Sequence, residues 1–364
     1  MAKKRLKRIV VKVGTRTLTH GENRLDRHNI HEIVRQICAI AGSGIDVMLV
    51  TSGAIAGGMG LLGLKKRPMK LSRLQAAAAI GQNHLMDIYS ELFNARGRVA
   101  AQVLLTQEDL NDRGRYLNIR YTLNELLNYK AIPVINENDT VSTEEIRCGD
   151  NDRLSSLAAD LVGADLLILL TDVDGLIDES GRVVGIVENI DSRITRMVRR
   201  SRCDVSMGGM GTKLEAARFA NHAGIDCVVA NGRAKDVLLK IVDGESVVTL
   251  FRAKSSGLLA KKRWIAFSSR PKGAIAVDDG ARGVLVGKDK SLLPSGIVGV
   301  EGKFKSSDIV RIVDSSGREF ARGVANYSSG EIEMIKGRRS GDISGILGYK
   351  AKDEVVHKDN LVIL

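Results

Sequence analysis

The chain has 364 residues, 44% hydrophobic and 27% charged, with a formal net charge of +12. That length exceeds one ordinary core and asks for two domains, or one large and one small. No apolar run approaches the ~18 residues of a membrane-spanning helix, and the basic start runs into an apolar stretch shorter than the ~7–15 residues of a signal peptide. A cytoplasmic protein with no membrane role is expected. Residues 271–364 carry 15 Lys and Arg against 13 Asp and Glu, so nearly all the positive excess lies upstream. A basic surface there suits anionic substrates as well as it suits RNA. Cys38, Cys148, Cys203 and Cys227 form no metal-ligand or redox spacing, and the six histidines form no paired-ligand pattern. Reduced thiols are expected, and the sequence singles out no protein ligand for a metal.

In chain order, residues 1 to about 250 alternate short apolar strands with amphipathic helices. Strands are expected at Ile9–Val13, Val47–Val50, Val99–Leu105, Ile132–Ile135, Leu166–Leu170 and Asp226–Ala230. Asp26 can cap a helix whose apolar face is Ile30, Ile33, Val34, Ile37 and Ile40, the 3.6-residue period. Further helices are expected around Ala76–Ala79, Leu117–Leu127 and Leu154–Leu161. Fully apolar strands separated by helices predict an α/β fold, a mostly parallel sheet sandwiched by helices. Near residue 250 the texture turns polar and basic, and Trp264 follows. Beyond it, Ala274–Val277, Gly283–Val286, Ile297–Val300, Ile309–Val313, Glu319–Val324 and Glu331–Ile335 read as short strands of a small β-rich domain. The expected division is 1–258 for the first domain, 259–272 for a linker and 273–364 for the second.

Four turns after strands of the first domain carry chemistry, at the place where open α/β sheets bind ligands. Lys12 interrupts the apolar first strand before Gly14. Such a lysine is either paired near a ligand or snorkels to water from an edge strand. Thr51-Ser52-Gly53 follows the second strand and leads into Gly58, Gly60 and Gly63, a weak match to a dinucleotide fingerprint with no acidic residue about 20 positions on. A close-packed helix or a phosphate-side loop fits that segment better. No GxxxxGK[ST] is present, which excludes a P-loop nucleotidase. Asn136-Glu137-Asn138-Asp139 ends a strand, and Asp150-Asn151-Asp152 opens a helix soon after. These carboxylates and carboxamides can hold the charged ends of an amino acid or orient a lysine, whereas either segment alone could be an Asp/Asn-rich surface turn. Last, Thr171-Asp172 follows the fifth strand, and Met207-Gly208-Gly209-Met210-Gly211-Thr212-Lys213 brings a Gly-rich loop and a lysine to a helix start, an anion site in kind.

The ordered set resembles the amino-acid kinase family, and within it the glutamate 5-kinases. VVKVGT at 10–15, VTSGAIA at 50–56, PVINEND at 133–139, GDNDRLSSLAA at 149–159, LLTDVDGL at 169–176 and GGMGTK at 208–213 carry the resemblance. SLLPSGI at 291–297, FARGVANY at 320–327 and ILGYK at 346–350 look like the PUA domain appended to many bacterial members. The chain departs from the familiar pattern at Val205-Ser206-Met207 and at Gly211. The resemblance implies the amino-acid kinase fold and transfer of the ATP γ-phosphoryl group to the γ-carboxylate of L-glutamate, the first step of proline biosynthesis, with Mg2+ accompanying ATP. It assigns Lys12 and Lys213 to the transferring phosphoryl group and Asp152 to orienting them. It assigns Ser52, Asn136, Asp139, Asp150 and Asn151 to glutamate. Thr171, Asp172 and the loop Met207–Lys213 go to the nucleotide. It further implies a homo-oligomer inhibited by proline. The alternatives are another member of the fold, acting on acetylglutamate, aspartate or a nucleoside monophosphate, and an RNA-binding protein acting through the tail.

Overall fold

A computed structural model describes residues 6–21, 24–142, 151–200, 209–245, 248–253, 262, 265–266, 271–288 and 290–364. By its internal contacts the chain divides into two units, residues 1–257 and 258–364. In the first, β1 (Arg8–Val13) is followed by a short helix α1 (Thr15–Leu18), a small hairpin β2 (Thr19–His20) and β3 (Arg24–Leu25), and α2 (Arg27–Gly42). β4 (Asp46–Val50), α3 (Ala54–Leu61), α4 (Leu71–Asn94), β5 (Ala100–Leu105), α5 (Gln107–Asn111), α6 (Arg113–Asn128) and β6 (Ile132–Glu137) come next. The unit closes with α7 (Asn151–Val162), β7 (Leu166–Thr171), β8 (Ile186–Val187), α8 (Ser192–Arg200), α9 (Met210–His222), β9 (Asp226–Asn231), α10 (Val237–Asp243) and β10 (Thr249–Phe251).

Eight of these ten strands, all but the hairpin β2–β3, form one sheet in the order β5-β6-β4-β1-β7-β9-β10-β8. Every pair from β5 through β9 is parallel, and β10 enters antiparallel to β9. The six strands predicted from their apolar runs are all present. Ile9, Val11, Val13, Val47, Leu49, Val134, Ile168 and Leu170 are fully or almost fully buried in one core with Ile30, Ile33, Val34 and Ile37 of α2. Asp26 caps α2 by accepting the Asn29 N–H at 3.1 Å. β1 lies in the interior of the sheet, between β4 and β7, so Lys12 is no edge-strand lysine.

The segment with the fingerprint-like glycines is a close-packed helix. A Cβ on Gly58 of α3 would lie 1.8 Å from the Ala77 carbonyl oxygen of α4, and one on Gly81 of α4 would lie 1.8 Å from the Ala54 carbonyl oxygen. Two helix backbones therefore touch, and neither glycine can carry a side chain without forcing them apart.

In the second unit, β11 (Ala274–Val277), β12 (Ile297–Glu301), β13 (Ile309–Val313), β14 (Glu319–Val324) and β15 (Leu361–Ile363) form a sheet in the order β12-β11-β13-β14-β15. Two expected strands are helical. Gly283–Val286 lies within the helix Asp279–Lys288, where Asp278 accepts the Ala281 N–H at 2.7 Å. Glu331–Ile335 lies within the helix Ser329–Ile335, which Ser328 and Glu331 close with a reciprocal capping box. Capping of the first-turn donors prevailed there over a short β-like run of residues. The strand Leu361–Ile363 was not anticipated.

Gly58→Ala and Gly81→Ala should each destabilise the protein by about 1–3 kcal/mol or more in chemical denaturation, the usual cost of overpacking. Gly42→Ala, at the end of α2 with open space around it, should be neutral or stabilise by up to about 1 kcal/mol.

Candidate active site

Lys12 projects from the inner strand β1, Asp152 sits in the first turn of α7, and Lys213 sits in the first turn of α9. Lys12 Nζ lies 2.6 Å from Asp152 Oδ1, and Lys213 Nζ lies 3.1 Å from Asp152 Oδ2. The Thr212 hydroxyl donates to the same Oδ2 at 2.8 Å. All three charged side chains are at least 95% buried. Burial alone would raise the Asp152 carboxyl, but the ammonium groups of Lys12 and Lys213 outweigh it and bring the carboxyl down to about 2. An ionised carboxylate so deep is sustained only by opposite charge held in good geometry. Gly14 completes this corner. Its N–H donates to the Leu170 carbonyl at 3.1 Å, and a Cβ there would approach Lys12 Nζ to 3.7 Å.

Beside this triad lies a second polar group. Asn151 Nδ2 donates to the Thr51 carbonyl at 2.6 Å, to the Ser52 hydroxyl at 3.1 Å and to Asn136 Oδ1 at 2.8 Å. Asn136 Nδ2 in turn donates to Gln82 Oε1 at 2.7 Å. The Thr51 hydroxyl shares a hydrogen bond of 2.9 Å with the Tyr89 hydroxyl, whose pKa is pushed up by burial. Ser52, Asn136 and Asn151 thus meet at the C-terminal ends of β4 and β6 and the start of α7. Asp139 is half-buried, and its negative charge supports the Arg67 guanidinium, whose pKa burial draws down. The segment before Asn151 lies outside the described residues, and Asp150 with it.

The third group lies at the ends of β7 and β9. Thr171 donates its hydroxyl to Asp172 Oδ1 at 3.0 Å, and Arg16 Nη1 meets Asp172 Oδ2 at 3.2 Å. Burial would raise the Asp172 carboxyl, and the Arg16 hydrogen bond holds it below its ordinary value. Asn231 donates to Asp174 Oδ1 at 3.0 Å close by. Of the Gly-rich loop, Gly209 caps α9 and Met210, Gly211, Thr212 and Lys213 form its first turn. Met207 and Gly208 lie outside the described residues. Thr212, expected on the nucleotide, has its hydroxyl on Asp152 and the Gly209 carbonyl. Gln82, Tyr89, Arg16 and Arg67 were not foreseen. Gln82 and Tyr89 stand seven residues apart on α4, a spacing that places them on one face.

Residues 7–231 match the family model described as Amino acid kinase family, and residues 273–347 match that of the PUA domain. The chain belongs to the amino acid kinase family. It is 49% identical over 98% of its length to a protein from Caldanaerobacter subterraneus subsp. tengcongensis named glutamate 5-kinase, and covers 98% of that protein. Proteins of the same name from Syntrophotalea carbinolica and Geobacter sulfurreducens are 48% and 46% identical, covering 98% and 99% of this chain and 97% and 98% of their own. For this amino acid kinase, the architecture read from the sequence holds in both parts, a helix-flanked and mostly parallel sheet followed by a β-rich PUA domain.

The depressed Asp152 pKa has a consequence for stability. A carboxyl whose folded value is about 2, against an ordinary 3.8, contributes stability that is full above pH ~4 and fades as pH falls toward 2. Its size is on the order of 2 kcal/mol. Asp152→Asn should flatten that acid limb and cost about 3–5 kcal/mol at pH 7, because two buried ammonium groups lose the carboxylate they share. Denaturant titrations of both proteins from pH 3 to 8 measure this. Equal stability at pH 7 would contradict it.

Proposed function

We propose that this chain transfers the γ-phosphoryl group of ATP to the γ-carboxylate of L-glutamate, giving L-glutamyl 5-phosphate for proline biosynthesis. The observation that carries the reading is the buried Lys12–Asp152–Lys213 triad beside the Ser52–Asn136–Asn151 cluster, in a chain close to half identical to glutamate 5-kinases over its full length. Phosphoryl transfer needs in-line placement and neutralisation of phosphate charge more than covalent help. Two lysines against one carboxylate leave the triad one positive charge in excess, which suits the oxygens of a transferring phosphoryl group. The acceptor carboxylate is ionised at neutral pH, so no general base is required.

In this reading Lys12 and Lys213 meet the phosphoryl oxygens, and Asp152 fixes both ammonium groups. Ser52, Asn136, Asp139, Asp150 and Asn151 hold glutamate. Thr171, Asp172 and the loop 207–213 contact the nucleotide. Both Asp152 oxygens are taken by ammonium and hydroxyl donors, so Mg2+ would ride on phosphate oxygens and water. There it would neutralise charge on the phosphates. A kinase domain over 1–258, a linker over 259–272 and a PUA domain over 273–364 complete the proposal, supported by the change of unit after Gly257 and the PUA match from residue 273. So do a homo-oligomer, feedback inhibition by proline, and a cytoplasmic location. Among the described residues no helix is long and apolar enough to cross a membrane.

Steady-state assays with a panel of acceptors test the substrate. L-glutamate should be turned over at least about tenfold better than aspartate, N-acetylglutamate or UMP, a ratio that asks for only ~1.4 kcal/mol of discrimination. Equal turnover of N-acetylglutamate would sink the assignment.

The lysines carry a separate prediction. Lys12→Ala and Lys213→Ala should each lower kcat by roughly 10²–10³ with glutamate KM much less changed, because their charges act where the transition state redistributes charge. Near-wild-type kcat in both variants, each checked for folding by circular dichroism, would mean the phosphoryl site lies elsewhere.

A further inference from the structure

Gln82 is about nine-tenths buried in the middle of α4, and its Nε2 has no hydrogen-bond partner among the described residues. Its Oε1 accepts from Asn136 Nδ2 at 2.7 Å. A buried amide left half satisfied calls for a reason, and the direction of the neighbouring amides supplies one. The Thr51 carbonyl can only accept, so the Asn151 atom 2.6 Å from it is the NH2 group. The Glu137 backbone N–H can only donate, so the Asn136 atom 2.9 Å from it is the carbonyl oxygen. Two backbone groups thus fix the direction of both asparagine amides. Asn136 is then obliged to point its NH2 group at Gln82. Turning the Gln82 amide over would set two NH2 groups face to face, so its own NH2 is the group left over.

The row has one further effect. Both N–H groups of Asn151 are spent inside the protein, on the Thr51 carbonyl, the Ser52 hydroxyl and Asn136. The group of that amide left to meet a ligand is its carbonyl oxygen, an acceptor suited to an ammonium group and not to a carboxylate. Accepting groups are placed where the amino end of an amino acid is to be read.

We infer that Gln82 is a positioning and specificity-determining residue. Its Oε1 anchors the outer end of the Asn136 amide and so steadies the row in which the Thr51 carbonyl and Asn136 Oδ1 hold Asn151 Nδ2, leaving the Asn151 carbonyl oxygen to receive the α-ammonium group of the substrate. This rests on the glutamate reading above. In this role Gln82 acts through two asparagines.

The test uses the full chain and three proteins, wild type, Gln82→Leu and Gln82→Glu, with circular dichroism to confirm folding. Glutamate KM, ATP KM and kcat are measured, together with competitive inhibition by glutarate, the dicarboxylate that lacks the amino group. Gln82→Leu removes the accepting oxygen. It should raise glutamate KM about tenfold or more, with kcat, ATP KM and the glutarate inhibition constant within about twofold of wild type. Gln82→Glu keeps an oxygen facing Asn136 and should restore glutamate KM to within about threefold. An unchanged glutamate KM in Gln82→Leu would overturn the inference. So would a parallel loss of glutamate and glutarate, which marks a general distortion of the pocket, or a Gln82→Glu variant as impaired as Gln82→Leu. A wild-type protein that does not phosphorylate glutamate would refute the functional reading itself. An active wild type with either of the other patterns refutes only the role of Gln82.

Discussion

Two lysine ammonium groups on one buried carboxylate are the constraint around which the first unit is organised. Lys12, Asp152 and Lys213 come from a strand and two helices far apart in the chain, and each is almost fully removed from water. Removing any one charge from water is expensive, and removing two like charges is more so. The arrangement survives because the three atoms meet at hydrogen-bond distance and Thr212 adds a further donor to Asp152. The strand order follows suit. Only a strand with neighbours on both sides carries its lysine into the middle of the sheet's C-terminal edge, where α7 and α9 begin.

The polar residues next to the triad obey a different rule, that of direction. An ion pair tolerates rotation of its partners, whereas a row of amides reads the same only one way once its ends are tied to backbone groups. The Thr51 carbonyl and the Glu137 N–H are those ends. α4 supports the row from beneath, with Gln75 on the Ser142 carbonyl, Gln82 on Asn136 and Tyr89 on Thr51, each seven residues from the next. α4 itself is held in place by the backbone contact of Gly58 and Gly81. Small residues in the helices thereby set the position of polar residues in the pocket.

Much of this was legible in the amino-acid order. Short, largely apolar runs announced the parallel strands because burial on both faces leaves no room for polar alternation. A lysine inside such a run, as at Lys12, stood out because its cost demands a partner, although the sequence left open whether that partner was water. Gln82 and Tyr89 were not legible. They sit in an Ala-rich helix where a polar residue at a buried position looks the same as one facing solvent, until the neighbouring strand ends are in place. The helices Asp279–Lys288 and Ser329–Ile335 misled for the opposite reason. Val284 and Val286 favour strands locally, whereas the helix starts carry capping hydrogen bonds outside the apolar run.

The claim on which the rest depends is that the lysine–carboxylate site delivers a phosphoryl group to a carboxylate, and an acyl phosphate can be caught directly. Purified protein incubated with ATP, magnesium and L-glutamate in the presence of hydroxylamine should form glutamyl hydroxamate in step with ADP. Formation of ADP with no hydroxamate would contradict it.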